Sequence, residues 1–175
     1  MQFKTINRGD GKVHFVEFGL SLIDTSAKLE QLSEVSGLNQ EETYQKSLYE
    51  ELNVIEVLTD QEILISLYHY PLVDRRIDIH KDDPSVVFRD YDLHIAGHYH
   101  GGQIRIPLLG ARMVPEAYYE NNGFFPPRDR VSGFWEYDGL NQYVSRGLGS
   151  SNAIGFLNFR LFNTPEINLL TLERK

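Results

Sequence analysis

The chain has 175 residues and a mass of 20.2 kDa, the size of one ordinary domain, and its 41% hydrophobic and 24% charged residues exclude the disordered and fibrous classes. Its formal net charge of −8 disfavours nucleic acid as a main partner, because phosphate backbones repel an acidic surface. The absence of cysteine excludes disulfides, thiolate metal sites and thiol catalysis, so any metal must be bound by nitrogen and oxygen atoms.

Neither a membrane span nor an export signal is recognisable in the sequence. No stretch approaches the roughly 18 uninterrupted apolar residues of a transmembrane helix, and the first ten residues lack an apolar core and a cleavage-site pattern. As given, the sequence predicts a cytoplasmic protein, although its compartment stays open.

The first sixty residues combine a hairpin with two helices. Turn-forming residues at Asn7–Gly11 predict two short strands within residues 1–20. Apolar spacing then predicts a helix that begins near Asp24 and ends at Gly37, and Asn39–Glu42 is typical of the capped start of a second helix. The acidic run in this region is interpreted as a solvated helix face.

Two apolar strands of the central region lead into histidines. Glu62–Tyr68 predicts a buried strand that ends at His69, and Tyr91–Ala96 predicts a strand that runs into Gly97–Gly102. Between these strands, the charged stretch Val73–Asp90 predicts a loop with one helical turn.

The last seventy residues predict short strands separated by irregular segments, so the chain as a whole is strand-rich after residue 60. The expected fold class is α/β, with an α+β-like order of elements, in one domain over residues 1–175. The predicted elements are an exposed or edge strand over Gln103–Leu109, irregular structure over 110–130, a hairpin of Phe134–Tyr137 and Gln142–Ser145, a flexible loop over Arg146–Ser151 and a closing strand over Ile167–Leu172.

Three histidines are candidates for chemistry: His69, His98 and His100. His98 and His100 are two positions apart and flanked by glycines, so their side chains could converge on one ion or on two neighbouring ions. His69 follows a separate apolar strand, and strand ends are the usual place for ligands in an open α/β sheet. The alternative interpretation is that the three are unrelated polar residues in loops.

The segment that carries these histidines resembles a known family. Gly97–Gln103 followed by Ile104–Pro107 is similar to the GHxHGGQ segment of calcineurin-like metallophosphoesterases, in particular their YkuE-like branch. Ile65–Pro71, Tyr143–Gly149 and Pro165–Leu172 resemble three further segments of that family in the same order. Together these segments extend over residues 60 to 173.

The resemblance implies the C-terminal half of the family's α/β/β/α sandwich and a hydrolase that acts on phosphomono- or diesters. It implies that His69 and His98 bind one metal of a dinuclear site and that His100 binds the other. The ions would be Mn²⁺, Fe or Zn²⁺, two in the complete protein, because imidazole does not discriminate among them. Arg146 is a candidate contact to a substrate phosphate, with a surface arginine in a loop as the alternative.

Several motifs of the family are missing from this sequence. Asp-x-His, Gly-Asp and Gly-Asn-His-Asp/Glu do not occur in order, so no catalytic histidine is identifiable. Gly9–Asp10, in a predicted turn, and Asp78–His80, in a predicted loop, are interpreted as chance matches. The chain is therefore expected to be inactive alone, and a homodimer or a separate N-terminal half could complete the site. Complete members often reach the membrane or cell wall through an N-terminal segment.

The sequence is also compatible with two other functional classes. The chain could be a non-catalytic fragment, or a small cupin-like β module, because cupins also use His-x-His. A cupin motif expects a glutamate three or four positions later, where Gln103 and Ile104 stand.

Other side chains are weaker candidates: His94 and Trp135 are expected to pack in the interior, His14 and His80 have no recognisable partners, and Ser150 and Asn152 are minor candidates for substrate contact.

Overall fold

The structure, a computed structural model, describes residues 2–9, 11–150 and 159–173. Two residues considered above, Asp10 and Asn152, lie outside this part of the chain, as does the last residue of the predicted loop, Ser151.

A mixed sheet of six strands organises the described residues. Its strand order is β1-β2-β3-β4-β8-β7, and β5 and β6 form a separate two-stranded ribbon. The pair β1–β2 is antiparallel, β2–β3 is parallel and β7–β8 is antiparallel. This arrangement confirms the predicted α/β class and disagrees with the all-β cupin alternative. The strands are β1 (Phe3–Arg8), β2 (Gly11–Glu17), β3 (Glu62–Leu67), β4 (Leu93–Ala96), β5 (Arg105–Ile106), β6 (Gly110–Ala111), β7 (Gly133–Tyr137) and β8 (Leu140–Val144).

The helices begin at the capping residues that the sequence indicates. Asn39 and Glu42 form a reciprocal capping box, with N–O distances of 2.8 and 2.9 Å, and Asp24 accepts a hydrogen bond from the backbone N–H of Ala27. None of the described helices has the length and apolar content needed to cross a membrane. The helices are α1 (Phe18–Ser21), α2 (Thr25–Ser33), α3 (Gln40–Leu52) and α4 (Asp74–Asp82), with 3-10 turns at Asn53–Glu56, His100–Gly102 and Glu120–Gly123.

The chain divides into two compact units. Unit one comprises Met1–Tyr68 and Ile77–His94, and its core is centred on Phe18, which is buried against the aromatic rings of Tyr91 and His94. Unit two comprises His69–Arg76 and Ile95–Lys175 and holds all three candidate histidines. Its main hydrophobic cluster consists of Tyr99, Ala111, Val114, Val131, Trp135 and Val144.

The predicted loop over Val73–Asp90 is wrong, because α4 occupies its first half as a regular helix. Most side chains of α4 are charged, but Ile77 is buried on its inner face and stabilises the helix. Pro84 follows shortly after the helix ends, as expected for a helix terminator. Asp78 and His80 therefore lie on a helix, where positions two apart do not face each other, which supports their interpretation as a chance match.

Two predicted strands also differ from the structure. The closing strand over Ile167–Leu172 is wrong: no strand is assigned there in the described residues, and Ile167 and Leu169 are 85% and 92% exposed. An apolar run pairs as a strand only if another strand supplies ladder partners. The strand predicted over Gln103–Leu109 is confirmed only at β5, because Leu108 adopts a left-handed φ of 68° that interrupts extended backbone.

Candidate metal centre

Two of the candidate histidines meet in unit two. His69 follows the end of β3, and His98 follows the end of β4 after Gly97. The Nδ1 atom of His98 lies 2.8 Å from Nε2 of His69, and the ring of Tyr70 packs against both imidazoles. The backbone N–H of Gly97 donates to the carbonyl of His69, so the two segments are also joined by main chain. The structure thus brings together a histidine pair that is 29 positions apart in sequence.

The environment favours neutral imidazoles. Burial lowers the pKa of His98 below its ordinary value, and the neighbouring His69 and His100 lower it further, while Glu116 opposes the shift. Burial and the positive charge of Arg160 lower the pKa of His100, against an opposing backbone hydrogen bond with Gly149. Neutral imidazole is the form that binds a metal ion, so both side chains are held in the state that ligation requires.

The turn after β4 has an unusual backbone. His98 and His100 have φ values of 60° and 48°, in the left-handed region that side-chain-bearing residues rarely adopt. Gly101 and Gly102 continue the turn with φ values of 66° and 79°. Such conformations persist only where the surroundings enforce them, and they cluster at functional sites.

Close packing explains why glycine follows the second histidine. A Cβ atom on Gly102 would lie 2.2 Å from the Cβ of Ala111. A Cβ atom on Gly101 would lie 2.7 Å from Oδ1 of Asn163 and 2.8 Å from Cγ of Arg146. No side chain fits at either position, so the two glycines allow unit two to close tightly around the turn.

Tyr99 anchors the turn from the inside. It lies between the two histidines in sequence, is only 3% exposed and belongs to the core cluster of unit two. Its hydroxyl donates to Oε2 of Glu116 at 3.2 Å, and Oε1 of the same buried carboxylate accepts from Arg76 and from the backbone N–H of Tyr118. Burial and the nearby Tyr119 and Glu116 raise the pKa of Tyr99 well above its ordinary value, so its hydroxyl stays protonated as a donor.

Gln142 on β8 fixes the segment that follows His69. Its side chain is 1% exposed and makes two hydrogen bonds with the backbone of Leu72: Oε1 accepts from the N–H at 2.8 Å and Nε2 donates to the carbonyl at 2.9 Å. A buried amide that satisfies both groups of one peptide position acts as a clamp. Leu72 is three residues after His69, so the clamp restricts where that imidazole can lie.

Sequence reasoning missed Glu116, Asn163 and Arg160 at this site. Asn163 donates from Nδ2 to the backbone carbonyl of His100 at 2.6 Å, and Arg160 donates to the carbonyls of Gly149 and Arg146. Neither residue belongs to a motif, and Asn163 is 63 positions from His100. No local signal in the sequence predicts these contacts.

Arg146 lies beside the turn as part of a polar network. Its Nε is 3.2 Å from Oγ of Ser132 and 3.8 Å from Oε2 of Glu166, and its backbone N–H donates to Oε1 of the same glutamate. The segments Tyr143–Gly149 and Pro165–Leu172, both part of the family resemblance, thus meet through Arg146 and Glu166. Arg146 lies in a loop and is partly exposed, as in the alternative of a surface arginine, and contact with a substrate phosphate stays a prediction.

The other histidines and the tryptophan are part of the two cores. His94 is fully buried with Nδ1 2.7 Å from Oγ of Ser66, which confirms its predicted interior position. His14 is buried with Nδ1 2.9 Å from Oγ1 of Thr5. His80 lies against the ring of Phe18, and Trp135 packs in the core of unit two as predicted.

Two curated proteins are similar to part of this chain. The phosphodiesterase YaeI of Escherichia coli (strain K12) is 33% identical over 100 residues, which is 56% of this chain and 32% of YaeI. The uncharacterized metallophosphoesterase YkuE of Bacillus subtilis (strain 168) is 31% identical over 99 residues, which is 54% of this chain and 29% of YkuE. The similarity is to metallophosphoesterases. It is distant and partial, and it confirms the resemblance inferred from the histidine segment.

The similarity covers only part of each relative. The matched stretch spans about a third of the length of these metallophosphoesterases. No protein-family profile matches the chain, and no solved structure matches it.

The metallophosphoesterase relatives imply a metal, and the histidine pair fits part of such a site. Two nitrogens bound at about 2.1 Å to one tetrahedral ion lie about 3.4 Å apart, so the observed 2.8 Å needs only a small ring movement. Within residues 2–9, 11–150 and 159–173, no three His, Asp or Glu side chains form a group that could hold an ion. The described residues thus fit two ligands of one ion and do not complete its coordination.

Proposed function

We propose that this chain carries the histidine side of a metal-dependent phosphoesterase site that hydrolyses phosphomono- or diesters. The observation that carries the proposal is the 2.8 Å approach of the ring nitrogens of His69 and His98. The partial similarity to metallophosphoesterases supports the class of reaction, and it does not assign roles to individual residues.

Each histidine has a separate role in this proposal. His69 and His98 would bind one ion and His100 a second, with Mn²⁺, Fe or Zn²⁺ as suitable ions. When bound, the two ions would supply Lewis acidity for the phosphate ester and for the attacking water. Tyr99 and Gln142 would position the imidazoles, and Arg146 would contact the phosphate.

The acidic ligands would come from beyond the described residues. The three imidazoles supply no negative charge, whereas a pair of divalent ions needs carboxylates to offset its charge. We propose that a second copy of the chain or a separate N-terminal half supplies them, and that the chain alone does not turn over substrate. A fragment without any catalytic role is the competing proposal.

Metal titration tests the histidine roles. Zn²⁺ and Mn²⁺ are titrated calorimetrically into the metal-free chain and into the variants His69→Ala, His98→Ala and His100→Ala. We expect affinity at least about tenfold weaker in His69→Ala and His98→Ala, and a smaller effect in His100→Ala, because the second ion needs ligands that the chain alone does not supply. His80→Gln is the matched control, since it removes an imidazole that packs in unit one. Equal affinities in all five proteins would overturn the proposal.

Hydrolysis of bis-p-nitrophenyl phosphate in Mn²⁺ tests activity directly. We expect no turnover by the chain alone above that of His98→Ala. Turnover that the substitution abolishes would show that the chain completes its own site, and the mass in solution with and without metal would then show whether a dimer does so.

A further inference from the structure

Three arginines surround the turn that carries His100. Arg105 donates from Nη1 to the carbonyl of Gly101 at 2.9 Å, and Arg160 donates from Nε to the carbonyl of Gly149 at 2.8 Å. Arg160 also contacts the carbonyl of Arg146, whose own side chain passes against Gly101. We call Arg105, Arg146 and Arg160 the arginine cluster. Backbone carbonyls hold Arg105 and Arg160, which fixes these two side chains without neutralising their charge, whereas Ser132 and Glu166 hold Arg146.

The charge of this cluster is poorly compensated. Glu166, 3.8 Å from Arg146, is the carboxylate that pairs with it within the described part of the chain, and Arg105 and Arg160 form no ion pair there. Burial lowers the pKa of Arg160, and the charge of Glu166 opposes this shift. Burial lowers the pKa of Arg105, and the adjacent Arg146 lowers it further. A chain with a net charge of −8 has ample acidic residues for neutralisation, yet three cations remain beside one anion.

Two buried polar atoms next to the turn have no partner among the described residues. They are Nη1 of Arg160, a cationic donor, and Oδ1 of Asn163, an acceptor. The orientation of the Asn163 amide is set by its donation to the carbonyl of His100. A buried charged donor without an acceptor is unfavourable, and a bound anion beside Arg160 would satisfy it.

We propose that the arginine cluster binds a tetrahedral phosphate oxyanion beside His100, with Asn163 accepting a hydrogen bond from its protonated oxygen. Guanidinium groups suit this ligand because their planar forks donate in pairs to phosphate oxygens. The inference rests on the proposed function, because it assigns the cluster to the phosphoryl group of that reaction. It explains the excess of positive charge and both unpartnered atoms with one ligand.

Inorganic phosphate is the probe, titrated into the metal-free chain with EDTA present and followed by NMR shifts and calorimetry. We expect saturable binding that weakens at least about tenfold in Arg160→Gln and in Arg105→Gln. Arg75→Gln is the matched control, since it removes the same charge from an exposed position on α4, and we expect less than about a twofold change. Sulfate should compete, since it is also a tetrahedral oxyanion.

Arg160→Gln also loses contacts to two backbone carbonyls, so Arg160→Lys and the emission of Trp135 serve as checks on folding. The proposal is overturned if phosphate does not bind, or if it binds equally to Arg105→Gln, Arg160→Gln and Arg75→Gln. His98→Ala separates the two hypotheses, since it should weaken metal binding and leave phosphate binding in EDTA unchanged. If the chain binds phosphate but no metal, only the proposed function is overturned. If the chain binds metal but no phosphate, only this inference is overturned.

Discussion

The imidazoles of His69 and His98 share one hydrogen bond, with 2.8 Å between Nε2 of the first and Nδ1 of the second. One ring must donate the hydrogen that the other accepts, so at least one of the two contact nitrogens is unprotonated. Full protonation of both rings would set two donors and two positive charges against each other. The contact is therefore compatible with neutral imidazoles or with a shared cation, and not with two imidazolium ions.

Acid should destabilise the metal-free chain through these groups. The pKa values of His98 and His100 lie below their ordinary value of 6.5, so the unfolded chain binds protons before the folded chain does. Their stabilising contribution is complete above pH 6.5 and is lost as pH falls through the folded values. Urea unfolding between pH 7.5 and 5 should show this loss, and it should be smaller in His98→Gln. The same pH slope in the variant and the parent would contradict the prediction.

This window differs from that of the Lys12–Glu62 pair. The hydrogen bond from Lys12 holds the pKa of Glu62 at about 2, against an ordinary 4.5. Its contribution is therefore present above pH 4.5 and is lost at more acidic pH, and it does not overlap the histidine range.

Gly102 and Gly139 form a matched pair of substitution sites. Their φ values are 79° and 81°, but a Cβ on Gly102 meets Ala111 at 2.2 Å whereas a Cβ on Gly139 meets nothing within 4 Å. We expect Gly139→Ala to lower the free energy of unfolding by about 1–2 kcal/mol, the conformational effect alone. Gly102→Ala should lower it by at least about 3 kcal/mol, because a backbone shift is added. Similar losses in the two variants would show that the close approach has no energetic effect.

Tyr99→Phe removes the hydroxyl that donates to the buried carboxylate of Glu116. We expect the free energy of unfolding to fall by about 1.5–3 kcal/mol, the usual range for a hydrogen bond to a charged group. Tyr44→Phe is the control: Tyr44 is 59% exposed and donates to Gln2, so the change should stay within about 0.5 kcal/mol. Denaturant unfolding measures both, and a loss no greater than in the control would argue against a role for Glu116 as anchor.

Gln142→Met should leave two backbone groups of Leu72 buried and unpaired. We expect a loss of about 3 kcal/mol in the free energy of unfolding, together with weaker metal binding because the segment after His69 is released. Gln31→Met, at an exposed position on α2, is the control and should change neither quantity. Normal Zn²⁺ affinity in folded Gln142→Met would show that the clamp is structural only.

The elements that the sequence predicts well are those with strong local signals. The capping box of Asn39 and Glu42 marks the start of α3, and Asp138-Gly139 marks the β7–β8 hairpin, whose turn has φ values of 48° and 81°. In α4 the charged residues around the buried Ile77 predict a loop, whereas the segment is a helix that packs through that one residue. An apolar run such as Ile167–Leu172 predicts a strand only if a partner exists, and local pattern carries no information about partners.

Some residues of the candidate site can be recognised from the sequence, and others cannot. The residues of the His-x-His-Gly-Gly segment are recognisable because they are adjacent in sequence, and the meeting of His69 with His98 follows from two strand ends. The supporting residues Glu116, Asn163 and Arg160 are not recognisable, because their roles arise from contacts across unit two. A buried carboxylate or a carbonyl-bound arginine has no characteristic neighbours along the chain.

Trp135 gives unit two a built-in optical reporter. It is the single tryptophan, it packs in the same cluster as Tyr99, and the guanidinium of Arg130 lies 4.5 Å from its ring. Its emission therefore depends on whether the cluster beneath the histidine turn is intact, and unit one contributes no tryptophan signal. Ligand titrations and partial unfolding of this half of the molecule can be followed without any attached dye.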